Sequence, residues 1–321
     1  MSAPAKPAAP VLLCAGEALI DMVPRPTPEG QAFLPLPGGA VFNTAIAAAR
    51  LGVSTRFWYG LSSDMFGVQL RAALDAAGAD ASLCPPIDRP STLAFVTLAE
   101  GQARYLFLDE NTAGRMLTPA DLPNLPDEVG VLFFGGISLV NEPVGSAMEA
   151  LAARTAVDGH GRLIMLDPNI RPGFIRHEAT YRARLFRLIG LSHVVKLSDE
   201  DLFWLTGPGE IATQAERIRA MGPRLVLITL GAKGARAFGE GLDVAVPGQA
   251  VTVADTVGAG DTFNAAFLCA LVERELATPQ ALSEMSEAVL GASLDFASRA
   301  AAISVTRAGA NPPWRNEVAA G

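Results

Sequence analysis

Short apolar runs rich in β-branched residues alternate along this chain with Ala/Leu-rich segments of helical period, and that alternation leaves few folds open. The runs are VLLCAG (11–16), TRFWYGL (55–61), VGVLFFGG (129–136), RLIMLDPN (162–169), HVVKLS (193–198) and RLVLITLG (224–231). Between them lie 41–51, 66–77, 144–156, 179–190 and 210–221, whose apolar residues recur at helical spacing. A strand that is apolar on both faces needs cover on both faces. The pattern therefore predicts an α/β fold, with a mostly parallel central sheet between two helical layers. Half of the 321 residues are apolar, enough for one large core. We expect a single domain over 11–315 behind a disordered Ala/Pro-rich tail at 1–10.

Two stretches break the alternation. TLAFVTLAEGQARYLFLD (92–109) predicts an antiparallel hairpin turning at Glu100-Gly101-Gln102, and QAFLPLPGG (31–39) is a second extended piece. Neither adjoins a crossover helix, so together they predict a small sheet standing off the main one as a lid over a ligand crevice. TLAFVTL and ARYLFL are apolar on both faces. A two-fold partner would cover the extra face and make a homodimer through the lid, unless that face packs on the chain's own core. GARAFGEGLDVAVPG (234–248) predicts a further hairpin at the far end.

Charge and composition exclude several classes. The net charge of −8, without any Lys/Arg block, argues against nucleic acid and anionic membranes as partners. No stretch reaches the ~20 apolar residues of a membrane span, and the opening residues lack the apolar core of a signal peptide. A cytoplasmic location is the expectation. Cys14, Cys84 and Cys269 form no CxxC pair and sit in or beside apolar segments, as buried reduced thiols do. His160, His177 and His193 show no metal-binding spacing and receive no role.

The motif richest in chemistry is DTVGAGDTFNAAFLCAL, 255–271. Gly258, Ala259 and Gly260 run directly into Asp261 and an apolar helix. Small residues let backbone N–H groups converge, and a helix N-terminus adds positive potential, so the segment can cradle an anion such as a phosphoryl group in transit. Asp261 stands in the first turn beside that cradle, where a carboxylate can take the proton of an attacking alcohol. The plain alternative is a Gly-rich turn with an N-capping Asp. A second motif, PGGAVFNTAIAAARLG (37–52), sets Gly38 and Gly39 before a helix with Asn43 in its first turns. The glycines admit a ligand close to the backbone, and Asn43 can donate to or accept from a hydroxyl. Its spacing is not GxGxxG, which makes a nicotinamide cofactor a poor fit.

GEALIDMV (16–23), the GGxxxN helix start, SSDMFG (62–67), DPNIR (167–171), TLGAKG (229–234) and DTVGAGD occur in one order. That series resembles the ribokinase-like (PfkB) carbohydrate kinases from about Val11 to Trp314. GEALIDMV, VKLSDEDL (195–202) and the run 117–122 look most like the bacterial fructokinases of that family. The resemblance implies a three-layer α/β/α sandwich with a small β-sheet lid, and transfer of the ATP γ-phosphoryl group to a hydroxyl of a small sugar, with fructose first among candidates. It implies Asp261 as catalytic base, with the backbone of Gly258, Ala259 and Gly260 as anion hole. Asp21, Gly38, Gly39 and Asn43 match the sugar contacts. Thr229, Gly231 and Gly234 fall where the family holds the nucleotide. Lys196 and Arg171 fall where cationic groups approach phosphates or substrate, and Arg104 lies in a lid segment that reaches the substrate in relatives. Plain alternatives stand beside several of these: a solvated strand end for Asp21, a snorkelling surface lysine for Lys196, a structural salt bridge or turn contact for Arg171 and an exposed strand residue for Arg104.

Two departures from the family pattern bear on metals. The magnesium-organising Asn-x-x-Glu is replaced by Ser198 and Asp201, with Glu200 adjacent, so these carboxylates are the candidates to hold water on Mg²⁺. A monovalent-cation site, of the kind potassium fills in relatives, maps to Asp255 and to the backbone oxygens of Ser304, Arg307 and Gly309. Pro313 stands where some relatives have a hydroxyl. The alternatives to a fructose kinase are a 2-keto-3-deoxygluconate kinase, with Arg104 and Arg171 as carboxylate clamp, and a sugar sensor that binds without turnover.

Overall fold

Each of these apolar runs becomes a strand of one eight-stranded sheet in the computed structural model, which describes residues 9–99 and 102–319, with the backbone alone over 96–105. Most of the expected tail, and the turn residues Glu100 and Gly101, lie outside the described residues. In chain order the strands are β1 (Val11–Ala15), β2 (Leu19–Thr27), β3 (Gly30–Gly38), β4 (Thr55–Trp58), β5 (Leu61–Ser62), β6 (Pro86–Ile87), β7 (Leu93–Ala99), β8 (Gln102–Leu108), β9 (Val129–Gly135), β10 (Leu163–Asp167), β11 (Val194–Ser198), β12 (Leu225–Thr229), β13 (Ala235–Gly239) and β14 (Leu242–Val246). The helices are α1 (Ala40–Arg50), α2 (Met65–Ala77), α3 (Val144–Ala156), α4 (Glu178–Leu191), α5 (Asp199–Thr206), α6 (Ile211–Arg219), α7 (Ala259–Glu273), α8 (Pro279–Ser283), α9 (Glu287–Val305) and α10 (Arg315–Ala319).

The main sheet runs β14-β13-β12-β11-β10-β9-β1-β4. It is parallel from β4 to β12, and the far hairpin β13–β14 adds two antiparallel edge strands. From β1 the chain crosses through α1 to β4, whereas from β9 it moves the other way through β10, β11 and β12. Right-handed crossovers in opposite directions put their helices on opposite faces. Accordingly α1, α7 and α9 pack side by side on one face, while α3 with α4 and α5 with α6 cover the other. The direction of winding reverses between β1 and β9, and an open α/β sheet binds its ligands in the crevice at such a reversal.

Local chemistry fixes the element ends. The Asp64 carboxylate accepts from the amides of Phe66 (3.0 Å) and Gly67 (2.8 Å), capping α2 for about 1 kcal/mol. At its other end Gly78 takes the left-handed conformation. α7 is buried from Asp261 to Val272, so its lack of a polar face reflects a helix enclosed by α1, α9 and the sheet. By length and composition α9 is apolar enough to cross a bilayer, contrary to the sequence expectation. It packs along α7 and the β13–β14 edge, with Leu290, Leu294, Phe296 and Ala300 buried. Cys14, Cys84 and Cys269 are free and buried.

The two extended pieces 31–39 and 92–109 share a four-stranded sheet, order β3-β2-β7-β8. Its inner strand β2 runs through 19–27 and continues far beyond the GEALIDMV segment. β2 pairs antiparallel with β3 along its whole length, but parallel with β7 only at Ile20, Asp21 and Met22. Phe33 and Phe95 meet edge to face at 5.1 Å between the strands, while Phe33, Leu34, Leu106 and Leu108 remain exposed.

Candidate active site

Gly258 caps α7 with φ 79°, a left-handed conformation that a side chain would resist. Of the cradle amides, that of Ala259 already donates to the Thr256 carbonyl at 3.3 Å. Among the described residues no backbone acceptor takes the amides of Gly258 or Gly260, which leaves them for a ligand anion. One residue further, Asp261 is buried, and its Oδ2 accepts from Asn43 Nδ2 at 2.9 Å. The sequence assigned Asn43 to the sugar; the structure gives its amide protons a second task, on the carboxylate expected to act as base.

Burial pushes the Asp261 pKa up to about 7. The Asn43 hydrogen bond and the Lys196 ammonium pull it down, and the carboxylates of Asp167 and Glu17 push it up again. A carboxyl in this range is half ionised at neutral pH, the compromise that a general base would need.

Asn43 is carried by α1, whose start is built around Gly38 and Gly39. A Cβ on Gly38 would stand 2.3 Å from Asp21 Oδ2, so only glycine lets the β2 carboxylate come so near the turn. Among the described residues no donor reaches the Asp21 carboxylate, and burial raises its pKa to about 6. A desolvated carboxylate lacking hydrogen bonds is costly unless a ligand supplies them. Glu17, which the sequence reading passed over, lies where the winding reverses. Its Oε1 accepts from the Ala40 amide (3.1 Å) and its Oε2 from the Ser138 amide (3.2 Å), tying the head of α1 to the turn after β9. Burial holds the Glu17 carboxyl above its ordinary pKa.

Lys196 is no surface residue. It is buried in the middle of β11, and its ammonium donates to Asp167 Oδ2 at 2.9 Å. Burial alone would lower its pKa, but Asp167, Asp201 and Asp261 outweigh that and raise it. Asp167 Oδ2 also accepts from Asn264 Nδ2 at 2.7 Å. Neither Asp167 nor Asn264 was singled out in the sequence, although DPN and DTFN contain them.

Thr229, Gly231 and Gly234 line one wall of a cleft of about 500 Å³ whose floor includes Ala259 and Gly260. The cleft is also lined by α9, through Ser298, Ala301 and Val305, and by the segment carrying Val251 and Val253. These were not foreseen, because small and apolar residues carry no chemical signature. The cleft size suits a nucleotide, and its end meets the cradle. Asp255 and the 304–309 segment also come together. The Asp255 carboxylate accepts from the Gly309 amide at 2.9 Å, its amide donates to the Val305 carbonyl at 3.2 Å, and the Ser304 carbonyl accepts from Arg307 N at 3.1 Å.

The metal candidates differ from each other. Asp201 is buried and accepts from the Ile170 amide (3.0 Å) and from the Ser198 amide (3.3 Å), whereas Glu200 is exposed. Among the described residues no group of three or more His, Cys, Asp or Glu is placed to hold a metal ion. Such a pair suits an ion held mainly by phosphates and water, with protein carboxylates touching the waters. Arg171 is exposed, and its Nη1 donates to the Ile170 carbonyl at 3.1 Å. The side chain of Arg104 lies outside the described residues; its backbone pairs with Thr97 across the β7–β8 hairpin.

The chain is similar to known proteins over nearly its whole length. The family model described as pfkB family carbohydrate kinase matches residues 10–317. A fructokinase of Rhizobium leguminosarum bv. trifolii is 48% identical over 281 residues, which cover 87% of this chain and 85% of that protein. Among solved structures, the fructokinase of Xylella fastidiosa with bound ATP superposes with a TM-score of 0.88 at 27% identity, over 98% of both chains. That of Vibrio cholerae O395, in a form with fructose, ADP and calcium ion bound, gives 0.83 at 28% identity over 97% of this chain and 98% of the other.

Proposed function

The chain belongs to the pfkB family of carbohydrate kinases, and on that footing we propose that it transfers the γ-phosphoryl group of ATP to a hydroxyl of fructose. The observation that carries this reading is one carboxylate at a junction. Asp261 follows Ala259 and Gly260, which line the nucleotide-sized cleft, and its carboxylate is held by Asn43 of α1. Gly38, just before that helix, lies against the Asp21 carboxylate. The curated relative and the two solved structures described above are fructokinases.

In this mechanism the nucleotide occupies the cleft beside Thr229, Gly231 and Gly234, its terminal phosphate toward the free amides of Gly258 and Gly260. Asp21 accepts from sugar hydroxyls and so satisfies a carboxylate that has no donor among the described residues. Asp261 takes the proton of the attacking hydroxyl, and the cradle amides hold the charge that builds on the phosphoryl oxygens. Magnesium, when bound, neutralises phosphate charge; Glu200 and Asp201 are the residues that would hold its waters. Asp255 with the backbone of Ser304, Arg307 and Gly309 would hold a monovalent cation. The small sheet acts as lid, excluding water that would otherwise hydrolyse ATP. Its exposed Phe33, Leu106 and Leu108, which strand register puts on one side of the sheet, are the face offered to a second copy of the chain. Cytoplasm is the compartment that keeps the three buried thiols reduced.

ADP release measured with a panel of sugars tests the acceptor. Turnover with fructose well above that with 2-keto-3-deoxygluconate and with nucleosides is expected. Preference for the keto acid would overturn the choice of fructose, and sugar binding without ADP release would overturn the kinase reading.

A further inference from the structure

Asp261 and the cradle would be a complete device if Lys196 were only a nearby cation, yet the ammonium is held by a carboxylate that is itself fixed by two further hydrogen bonds. We infer that Asp167 and Asn264 are positioning residues, which together hold the Lys196 ammonium beside the backbone of Gly260, where it meets the phosphoryl group in transit. The inference rests on the reading of Asp261 and the cradle given above, and adds two residues to it.

Asp167 closes β10 and is fixed from three directions. Its Oδ2 accepts from Lys196 Nζ (2.9 Å) and from Asn264 Nδ2 (2.7 Å), and its Oδ1 accepts from the Asn169 amide (3.1 Å). The ammonium has three protons, and among the described residues Asp167 is its one hydrogen-bond partner. A Cβ placed on Gly260 would lie 3.2 Å from Nζ. The charge is therefore seated against the second residue of α7, with donors to spare for an anion on the cradle.

Asn264 comes from the same helix as the base, three residues further on. Its Oδ1 is buried without a partner, so the bond to Asp167 is the one hydrogen bond its side chain makes among the described residues. An apolar residue would fill that space without stranding a carbonyl. An amide there is explained by its hold on Asp167.

The arrangement also keeps the cation off the base. Asp167, Asp201 and Asp261 all face the buried ammonium. An ammonium free to choose among them can pair with Asp261, and a base locked in an ion pair is a weaker base. Asp167, immobilised by Asn264 and the Asn169 amide, fixes the choice.

A double-mutant cycle on kcat, with ATP and fructose, tests this: Asn264→Leu, Lys196→Met and both together, each checked for a cooperative thermal melt. Asn264→Leu is expected to lower kcat ~10-fold, as a small displacement of a catalytic charge does, while moving either KM much less. Added to Lys196→Met it should lower kcat no further, because the group it positions is gone. Losses that multiply in the double variant, or an unchanged kcat in Asn264→Leu, overturn the inference. If Asn264→Leu does not fold, Asp167→Asn takes its place in the same cycle and is judged by the same two outcomes. Asp261→Asn is run alongside. Near-normal kcat there would refute the reading of the base itself, whereas an inactive Asp261→Asn with a multiplicative cycle refutes the positioning role alone.

Discussion

Replacing Asn43 by leucine should move the acid limb of the pH–rate profile upward. The pKa of Asp261 is held at about 7 by a balance in which burial raises it and the Asn43 hydrogen bond lowers it. Leucine shares the branched heavy-atom skeleton of asparagine, is bulkier and cannot donate, so the 2.9 Å bond to Oδ2 is lost and the added bulk keeps water from replacing it. A hydrogen bond to a charged group contributes about 1.5–3 kcal/mol, which at 1.36 kcal/mol per pH unit is a rise of about one to two units. The base must be ionised to act, so activity is present above the pKa and falls tenfold per unit below it. At pH 7 the ionised fraction would drop from half to roughly 1–10%, a loss of roughly 5–50-fold in kcat/KM that largely recovers near pH 9.

The assay is kcat/KM for fructose at saturating ATP from pH 5.5 to 9.5, wild type beside variant. An acid limb that stays in place while the sugar KM rises at every pH would refute the argument and return Asn43 to a role as sugar ligand alone. A uniform loss of kcat with no recovery at high pH would refute it too, since nothing would then have been titrated.

Three further outcomes follow from the geometry. Asp21→Ala should raise the sugar KM far more than the ATP KM, because the carboxylate has no donor among the described residues and waits for hydroxyls; titrations of each ligand alone check this, and equal weakening of both would remove Asp21 from the site. Glu17→Ala leaves the amides of Ala40 and Ser138 without their acceptor, at about 1–3 kcal/mol each; urea unfolding should show the loss, and an unchanged midpoint would mean the two bonds contribute nothing. Sedimentation at micromolar concentration should give a dimer that Leu106→Glu with Leu108→Glu dissociates, and a monomeric wild type would reject the shared sheet.

The sheet was legible because its signal is local: a strand enclosed between helices must be apolar on both faces, and six such runs stand out. β2 was not, since LIDMVPRPT carries Pro24 and Pro26, residues that argue against an inner strand. The structure removes the objection, because the ladder to β7 ends at Met22 and the prolines interrupt no bond on that side. The site divides along the same line. Asp261, Asp21 and the glycines belong to compact motifs and could be named from them. Glu17, Asp167 and Asn264 could not, because each matters through partners distant in the chain: Ser138 for Glu17, Lys196 for Asp167, and Asp167 for Asn264. What the motif leaves unsaid is also what would fit Asp261 to act as the proposed base. A carboxylate in the first turn of an exposed helix would be an ordinary acid, fully ionised at neutral pH and content as a cap. It becomes a proton acceptor near neutrality once α1, β10 and β11 have closed around it. That closure brings carboxylates and a lysine from three separate crossovers to the point where the sheet reverses its winding.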